Sequence, residues 1–219
     1  MSKIKNGFKR ISNAVDLLNK KSAAKKRYSA TLGKPILKAF FKNHRYAAPL
    51  ALLEKIKFIN KKFHPLSIVE FGSGATTLAI SRSMDPHAHL ITLDESPKFL
   101  DGTRKMIEGE HAITYVYPYD GKKMNYSYLS NFSLDKGKIN LVVIDGPTGN
   151  RFSEEALQVL DKVLGPKSIC VIDDTDREDI NKNAEDIAKK CGLEKHDYQG
   201  TVYLNHHFSI LTPQGMVLA

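Results

Sequence analysis

The chain has no tryptophan, only two cysteines, Cys170 and Cys191, and no apolar run approaching the roughly 18 residues a membrane-crossing helix requires. Two cysteines cannot build a disulfide framework, and their apolar or helical surroundings read as core thiols of a reducing compartment. The N-terminus lacks the uninterrupted apolar stretch of a signal peptide, so the expected location is the cytoplasm, with a peripheral membrane position as the variant. Internal repeats and low-complexity tracts are also missing. Acidic residues are scarce at one end only. Residues 1–45 hold thirteen Lys/Arg against Asp16, a charge of +12, and the whole chain carries +9, which leaves −3 for the rest. The basicity therefore belongs to an N-terminal extension, while 219 residues at 42% hydrophobic content allow one good α/β core beside it.

Against these absences stands one organised stretch, Ser67-Ile-Val-Glu-Phe-Gly-Ser-Gly-Ala-Thr-Thr-Leu-Ala-Ile80. Ile68 and Val69 suit a short buried strand, Gly72 and Gly74 allow a sharp turn and close approach to a ligand, and Thr76 and Thr77 open a helix. A dinucleotide fingerprint would place a third glycine at position 77, and a P-loop would end in Gly-Lys-Ser/Thr; neither is present. The loop is a poor phosphate cradle. Glu70 at the strand end would repel a pyrophosphate and attract a cationic ligand bearing an ammonium and a sulfonium.

Taken in order, Ile4, Phe8, Ile11, Val15 and Leu18 fall on one face of a basic amphipathic helix. Docking on the protein's own domain, docking on a partner subunit, lying on an anionic membrane surface and steering an anionic substrate all remain open for it. A second helix is expected over Ala47 to Phe63, ending at His64-Pro65. Strands are expected at His89–Leu93, Ala112–Tyr117, Ile139–Ile144 and Ser168–Ile172, alternating with helices from Thr76 to Ser83, after Ser96-Pro97, from Arg151 to Leu164 and from about Asp176 to Lys190. His196–Leu204 and Phe208–Leu211 suggest a terminal antiparallel hairpin across Asn205-His206-His207. This pattern predicts a Rossmann-like, doubly wound α/β fold. Its sheet is mostly parallel with an antiparallel C-terminal strand, and residues 1–65 form a basic helical extension to a domain at 66–219.

Ligands of such sheets bind beyond the carboxyl ends of the strands, and Glu70, Asp94, Asp145 and Asp173/Asp174 all stand there. Asp94 follows Glu70 by 24 residues, close to the roughly 20-residue offset at which an acid meets ribose hydroxyls. Its alternative role, with Glu95, is to favour the start of the next helix. Asp120, in the turn Pro118-Tyr-Asp-Gly121, is placed to border a bound base, or is a solvated turn carboxylate.

With Val-Glu-Phe-Gly-Ser-Gly-Ala-Thr-Thr-Leu, Thr-Leu-Asp-Glu-Ser-Pro, Val-Val-Ile-Asp-Gly-Pro and Val-Ile-Asp-Asp-Thr-Asp-Arg, the chain resembles the class I S-adenosylmethionine-dependent methyltransferases. Within them it resembles a small bacterial group related to O-methyltransferases, over about two-thirds of its length. The resemblance implies S-adenosylmethionine held by Glu70, Gly72, Gly74 and Asp94, its carboxylate meeting the loop N–H groups and a Thr76 or Thr77 hydroxyl, with Asp145 between cofactor and acceptor; Tyr119 is the alternative to Asp120 for bordering the adenine. Asp145, Asp173 and Asp174 resemble the Mg²⁺-binding triad of catechol-type O-methyltransferases, although those have an amide where Asp174 stands. Capping of the next helix is the alternative for Asp173 and Asp174. Without a metal, Asp145 or Asp173 is the candidate base, and His206 and His207 could also reach the crevice. The expected reaction is methyl transfer to an oxygen of a small molecule or glycan. The alternatives are an RNA methyltransferase, disfavoured because the excess charge lies outside the catalytic domain, and a non-catalytic protein that keeps the fold as a binding scaffold.

Overall fold

The computed structural model describes residues 48–107, 112–116, 138–147, 151–200 and 206–218. The basic helix expected near the N-terminus and Asp120 lie outside the described residues. The elements run α1 (Leu50–Phe63), β1 (Ser67–Phe71), α2 (Ala75–Ser81), β2 (His89–Leu93), α3 (Pro97–Ile107), β3 (Ala112–Val116), β4 (Asn140–Ile144), α4 (Glu154–Val163), β5 (Ile169–Ile172), α5 (Glu178–Cys191), β6 (Leu193–Gln199) and β7 (His207–Pro213). Among the described residues no helix is long and apolar enough to cross a membrane.

The seven strands form one sheet in the order β3-β2-β1-β4-β5-β7-β6, and β7 alone runs antiparallel to its neighbours. Strand order reverses between β1 and β4, the switch point at which a crevice opens above an α/β sheet. All five residues of β4 are buried because helices cover both faces, as its unbroken apolar run demands. Ile68, Leu90, Leu141, Val143 and Val171 pack on one side with Leu52, Leu53, Ile56 and Ile59 of α1 and Leu78 and Ile80 of α2. Val69, Ile91, Val142, Ile144 and Ile172 pack on the other with Ala156, Val159 and Leu160 of α4 and Ile180 and Ala184 of α5. Helix α1, which sequence reasoning groups with the N-terminal extension, is thus part of the core of the sheet domain.

Helix α4 starts at Glu154, three residues later than the expected Arg151, and α5 at Glu178, after the expected start near Asp176. Ser153 caps α4, its Oγ accepting from Ala156 N at 3.3 Å, and Gly192 ends α5 in the left-handed conformation at φ +67°. The terminal hairpin differs from its sequence expectation. β6 begins directly after Gly192, and its register runs from Leu193 opposite Pro213 to Gln199 opposite His207. Leu193, buried against the α4 and α5 side of the sheet, sets that earlier start, a constraint of packing that strand propensity does not carry.

The parallel register is what assembles the site. Phe71 lies opposite both Leu93 and Ile144, and Ile144 opposite Ile172, so the next residues, Asp94, Gly72, Asp145 and Asp173, form one row across the carboxyl edge. The ladder continues through that row: Gly72 N donates to Leu93 O at 2.7 Å, Asp145 N to Phe71 O at 2.8 Å and Asp173 N to Ile144 O at 3.0 Å.

Candidate active site

The glycine loop is built by two glycines with different duties. Gly72, at φ +93°, is approached by the protein itself: a Cβ there would lie 2.7 Å from Gly146 N and 2.8 Å from the Asp145 carbonyl carbon. Its freedom serves the contact between the β1 and β4 turns. Gly74 is at φ +144°, and a Cβ there would meet nothing within 4 Å, so open space lies above the helix start.

Glu70 also departs from expectation. Where the sequence suggests a carboxylate facing a cationic ligand, the structure seals Glu70 at 0% exposure beneath the loop. Its Oε2 accepts from Thr77 Oγ1 and from Thr92 Oγ1, each at 2.7 Å, and Thr92 is its register partner on β2. Thr77 Oγ1 in turn accepts from Gly74 N at 2.8 Å, and Thr76 Oγ1 donates to Asp145 Oδ2 at 3.4 Å. Both threonine hydroxyls therefore turn inward, to hold the loop, because the first turn of α2 packs directly on β1 and β4. Burial pushes the Glu70 carboxyl up to about 7, against the pull of the surrounding hydroxyls.

That shift has a measurable consequence. The unfolded chain gives up the Glu70 proton near the ordinary value of 4.5, before the folded state does, so the neutral carboxyl's contribution is complete below that pH and is lost as pH rises through about 7. Urea unfolding of wild type and Glu70→Gln at pH 4.5 and 7.5 is expected to show the wild type gaining about 3 kcal/mol relative to the variant at the lower pH. A pH-independent difference between the two proteins would mean that Glu70 is ionised throughout.

Asp94 is 7% exposed at the end of β2. Its Oδ2 accepts from Ser73 N at 2.7 Å and from Ser73 Oγ at 2.6 Å, and its Oδ1 from Ser96 N at 2.8 Å. The acid singled out by its offset from Glu70 thus sits against the glycine loop, joined to it through Ser73, a residue that sequence reasoning passes over. It also accepts from Ser96 N at the start of α3, the helix-start role expected of it.

On the other side of the switch point, the Asp145 and Asp173 side chains hydrogen-bond to each other, and both carboxyls are pushed above the ordinary range. Burial is the first cause for each; the second is the charge of Asp173 for Asp145 and that of Asp174 for Asp173. Two carboxyls in this relation titrate as a unit. Asp174 does not cap α5, whose N-cap is Arg177 without a side-chain bond. It stands at φ +59° with Oδ2 accepting from Arg151 Nη2, and its Oδ1 lies 2.9 Å from His206 Nδ1. His207, by contrast, is exposed on β7.

Sequence reasoning marks Arg151 only as the first residue of a helix. It is 6% exposed and precedes that helix, donating Nε to Pro147 O at 3.1 Å and Nη1 to Asp173 O at 3.0 Å. A signal exists: an arginine six residues after Asp145, in a chain with an excess of strand-end acids, is a candidate partner for them.

The expected Mg²⁺ ligands are Asp145, Asp173 and Asp174. Among the described residues the group whose ligand atoms lie within 4.8 Å of one another is instead Asp173, Asp174 and His206. As arranged, this set does not fit a hard divalent ion. Asp174 has a guanidinium on one oxygen and an imidazole on the other, and a hard cation prefers oxygen donors free of competing cations.

A seven-stranded sheet in this order, with a glycine loop and a row of acids at its switch point, is a Rossmann-like α/β fold. Residues 69–175 match the family model described as a methyltransferase domain. No curated protein matches the chain. Similar solved structures include the O-methyltransferase TomG from Streptomyces achromogenes, involved in tomaymycin synthesis and in complex with SAM; it is 13% identical, with a TM-score of 0.61 over 87% of this chain and 96% of that one. The Bacillus cereus O-methyltransferase in complex with SAH is 13% identical, with a TM-score of 0.61 over 87% and 97%. A methyltransferase from Geobacter sulfurreducens is 10% identical, with a TM-score of 0.57 over 83% and 89%. At these identities the likeness is one of fold.

Proposed function

We propose that the protein transfers a methyl group from S-adenosylmethionine to a hydroxyl oxygen of a small-molecule acceptor. The observation that carries this reading is the row Asp94, Gly72, Asp145, Asp173 at the switch point, with open space at Gly74 beside it. S-adenosylmethionine supplies a methyl group already activated on a sulfonium, so the protein's task is to align the acceptor and take one proton from it. Asp94 is the residue for the ribose hydroxyls, its two oxygens at present on Ser73 and Ser96. The absence of bulk at Gly74 leaves the loop backbone open to the ligand. Asp145 and Asp173, with Asp174 and His206 next to them, bring proton acceptors to the adjoining strand ends. The O-methyltransferases among the structural neighbours support oxygen as the atom methylated.

Calorimetry on protein stripped of copurified ligand is expected to show one S-adenosylmethionine or S-adenosylhomocysteine bound per chain. Asp94→Ala is expected to weaken that binding by about 30-fold to 100-fold, the loss of a charge-assisted pair of hydrogen bonds worth about 2–3 kcal/mol. No binding by the wild type would sink the methyl-transfer reading and leave a scaffold with a methyltransferase fold. Equal affinities for wild type and Asp94→Ala would move the ribose contact elsewhere.

A further inference from the structure

The acids at the β4 and β5 ends are neutralised from within the protein. Arg151 lies almost wholly buried across the turns that follow the two strands, bonded to Pro147 O, Asp173 O and Asp174 Oδ2. Its three bonds use two backbone carbonyls and one carboxylate, a geometry that only a planar, permanently charged guanidinium satisfies. To coordinate a divalent ion, Asp174 would have to give up this partner and leave the guanidinium buried without its counter-charge, an arrangement that proteins rarely tolerate.

The opposite oxygen of Asp174 sets the state of His206. An ionised carboxylate has no proton to donate, so across the 2.9 Å contact His206 Nδ1–H is the donor and Asp174 Oδ1 the acceptor. That assigns the proton of the neutral ring to Nδ1 and the lone pair to Nε2. Nε2 has no hydrogen-bond partner among the described residues, and the side chain is 28% exposed.

We infer that Arg151, Asp174 and His206 form a charge chain that takes the place of a divalent cation on the acceptor side, with His206 Nε2 as the proton acceptor and Arg151 and Asp174 as positioning residues. In the step it serves, the acceptor O–H bond breaks, an N–H bond forms at Nε2, and the oxygen keeps the electron pair with which it attacks. The resulting imidazolium is held by the Asp174 carboxylate, and Arg151 holds that carboxylate in position. The proposal rests on the methyl-transfer reading for the identity of the acceptor, but its tests need neither acceptor nor cofactor.

Two measurements on the full chain decide it. Long-range ¹H–¹⁵N NMR of the histidine rings, with the His206 signals assigned by His206→Gln, is expected to show the neutral ring protonated at Nδ1. Asp174→Asn, which asparagine's tolerance of the left-handed conformation makes compatible with φ +59°, is expected to move that proton to Nε2. Titration with Mn²⁺ followed by electron paramagnetic resonance is expected to show no bound ion that depends on Asp174. A wild-type ring protonated at Nε2 overturns the assignment of the base, and stoichiometric Mn²⁺ binding that Asp174→Asn abolishes overturns the replacement of the metal. Should S-adenosylmethionine fail to bind while both results hold, the methyl-transfer reading falls and the charge chain stands.

Discussion

Replacing Gly72 with alanine is expected to cost about 4 kcal/mol of folding stability, the largest effect of any single methyl group added near the site. Part of that cost is conformational, since φ +93° is a region that L side chains rarely adopt, at about 1–3 kcal/mol. The rest is steric: the new Cβ would meet Gly146 N at 2.7 Å and the Asp145 carbonyl carbon at 2.8 Å, backbone atoms that cannot rotate aside, and such overpacking costs about 1–3 kcal/mol. Gly74→Ala provides the control. It has the conformational strain at φ +144° but open space around it, so about 1–2 kcal/mol is expected. Urea unfolding of the two variants side by side measures the difference. Equal losses would show that the β1 and β4 turns can separate, and that the close backbone approach is not what positions Asp145.

Arg151→Met is expected to destabilise the domain by about 3–5 kcal/mol, the range found when one member of a buried ion pair is removed. The methionine fills much of the volume, so the loss is electrostatic: Asp174 and the neighbouring Asp145 and Asp173 pair are left without a cation. Adding Asp174→Asn to the same protein removes the orphaned charge and is expected to recover part of the loss, giving a coupling between the two substitutions of at least about 1 kcal/mol in a double-mutant cycle. Strict additivity would mean that Arg151 acts only through the Pro147 and Asp173 carbonyls. Arg151→Lys is expected to fall between, because a single ammonium cannot reach three acceptors on two turns.

The two variants probe different halves of one edge. Gly72 lets the β1 and β4 turns touch, and Arg151 ties the β4 turn to the β5 turn, so the row of acids is held by backbone contact on one side and by a buried cation on the other. That division explains why the acids can stand so near one another at all. Asp145 and Asp173 tolerate proximity because both carboxyls are pushed above the ordinary range, Asp174 by pairing with Arg151, and Glu70 by burial under the loop, which pushes its carboxyl up to about 7.

Alternation of apolar runs with amphipathic helices, the breaks at glycine and proline, and an acid at each strand end are local properties, and they determined the fold class, the location of the site and the acids within it. Gly192 as a helix end and the buried run Ile139–Ile144 are legible because propensity and solvent exclusion act within a few residues. The directions of the side chains were not legible. Whether Glu70, Thr76 and Thr77 face a ligand or the interior depends on which strand lies alongside, and Thr92, 22 positions away in the sequence, is what captures Glu70. The partner of Gly72 is Gly146, and the partners of Asp174 are Arg151, from the β4–α4 connection, and His206, just before β7. Sequence alone thus determined which chemistry is present at the sheet's carboxyl edge. Only the tertiary structure decided which of those groups hold the loop and which remain for a ligand, because charge pairing and close backbone contact depend on distance in space.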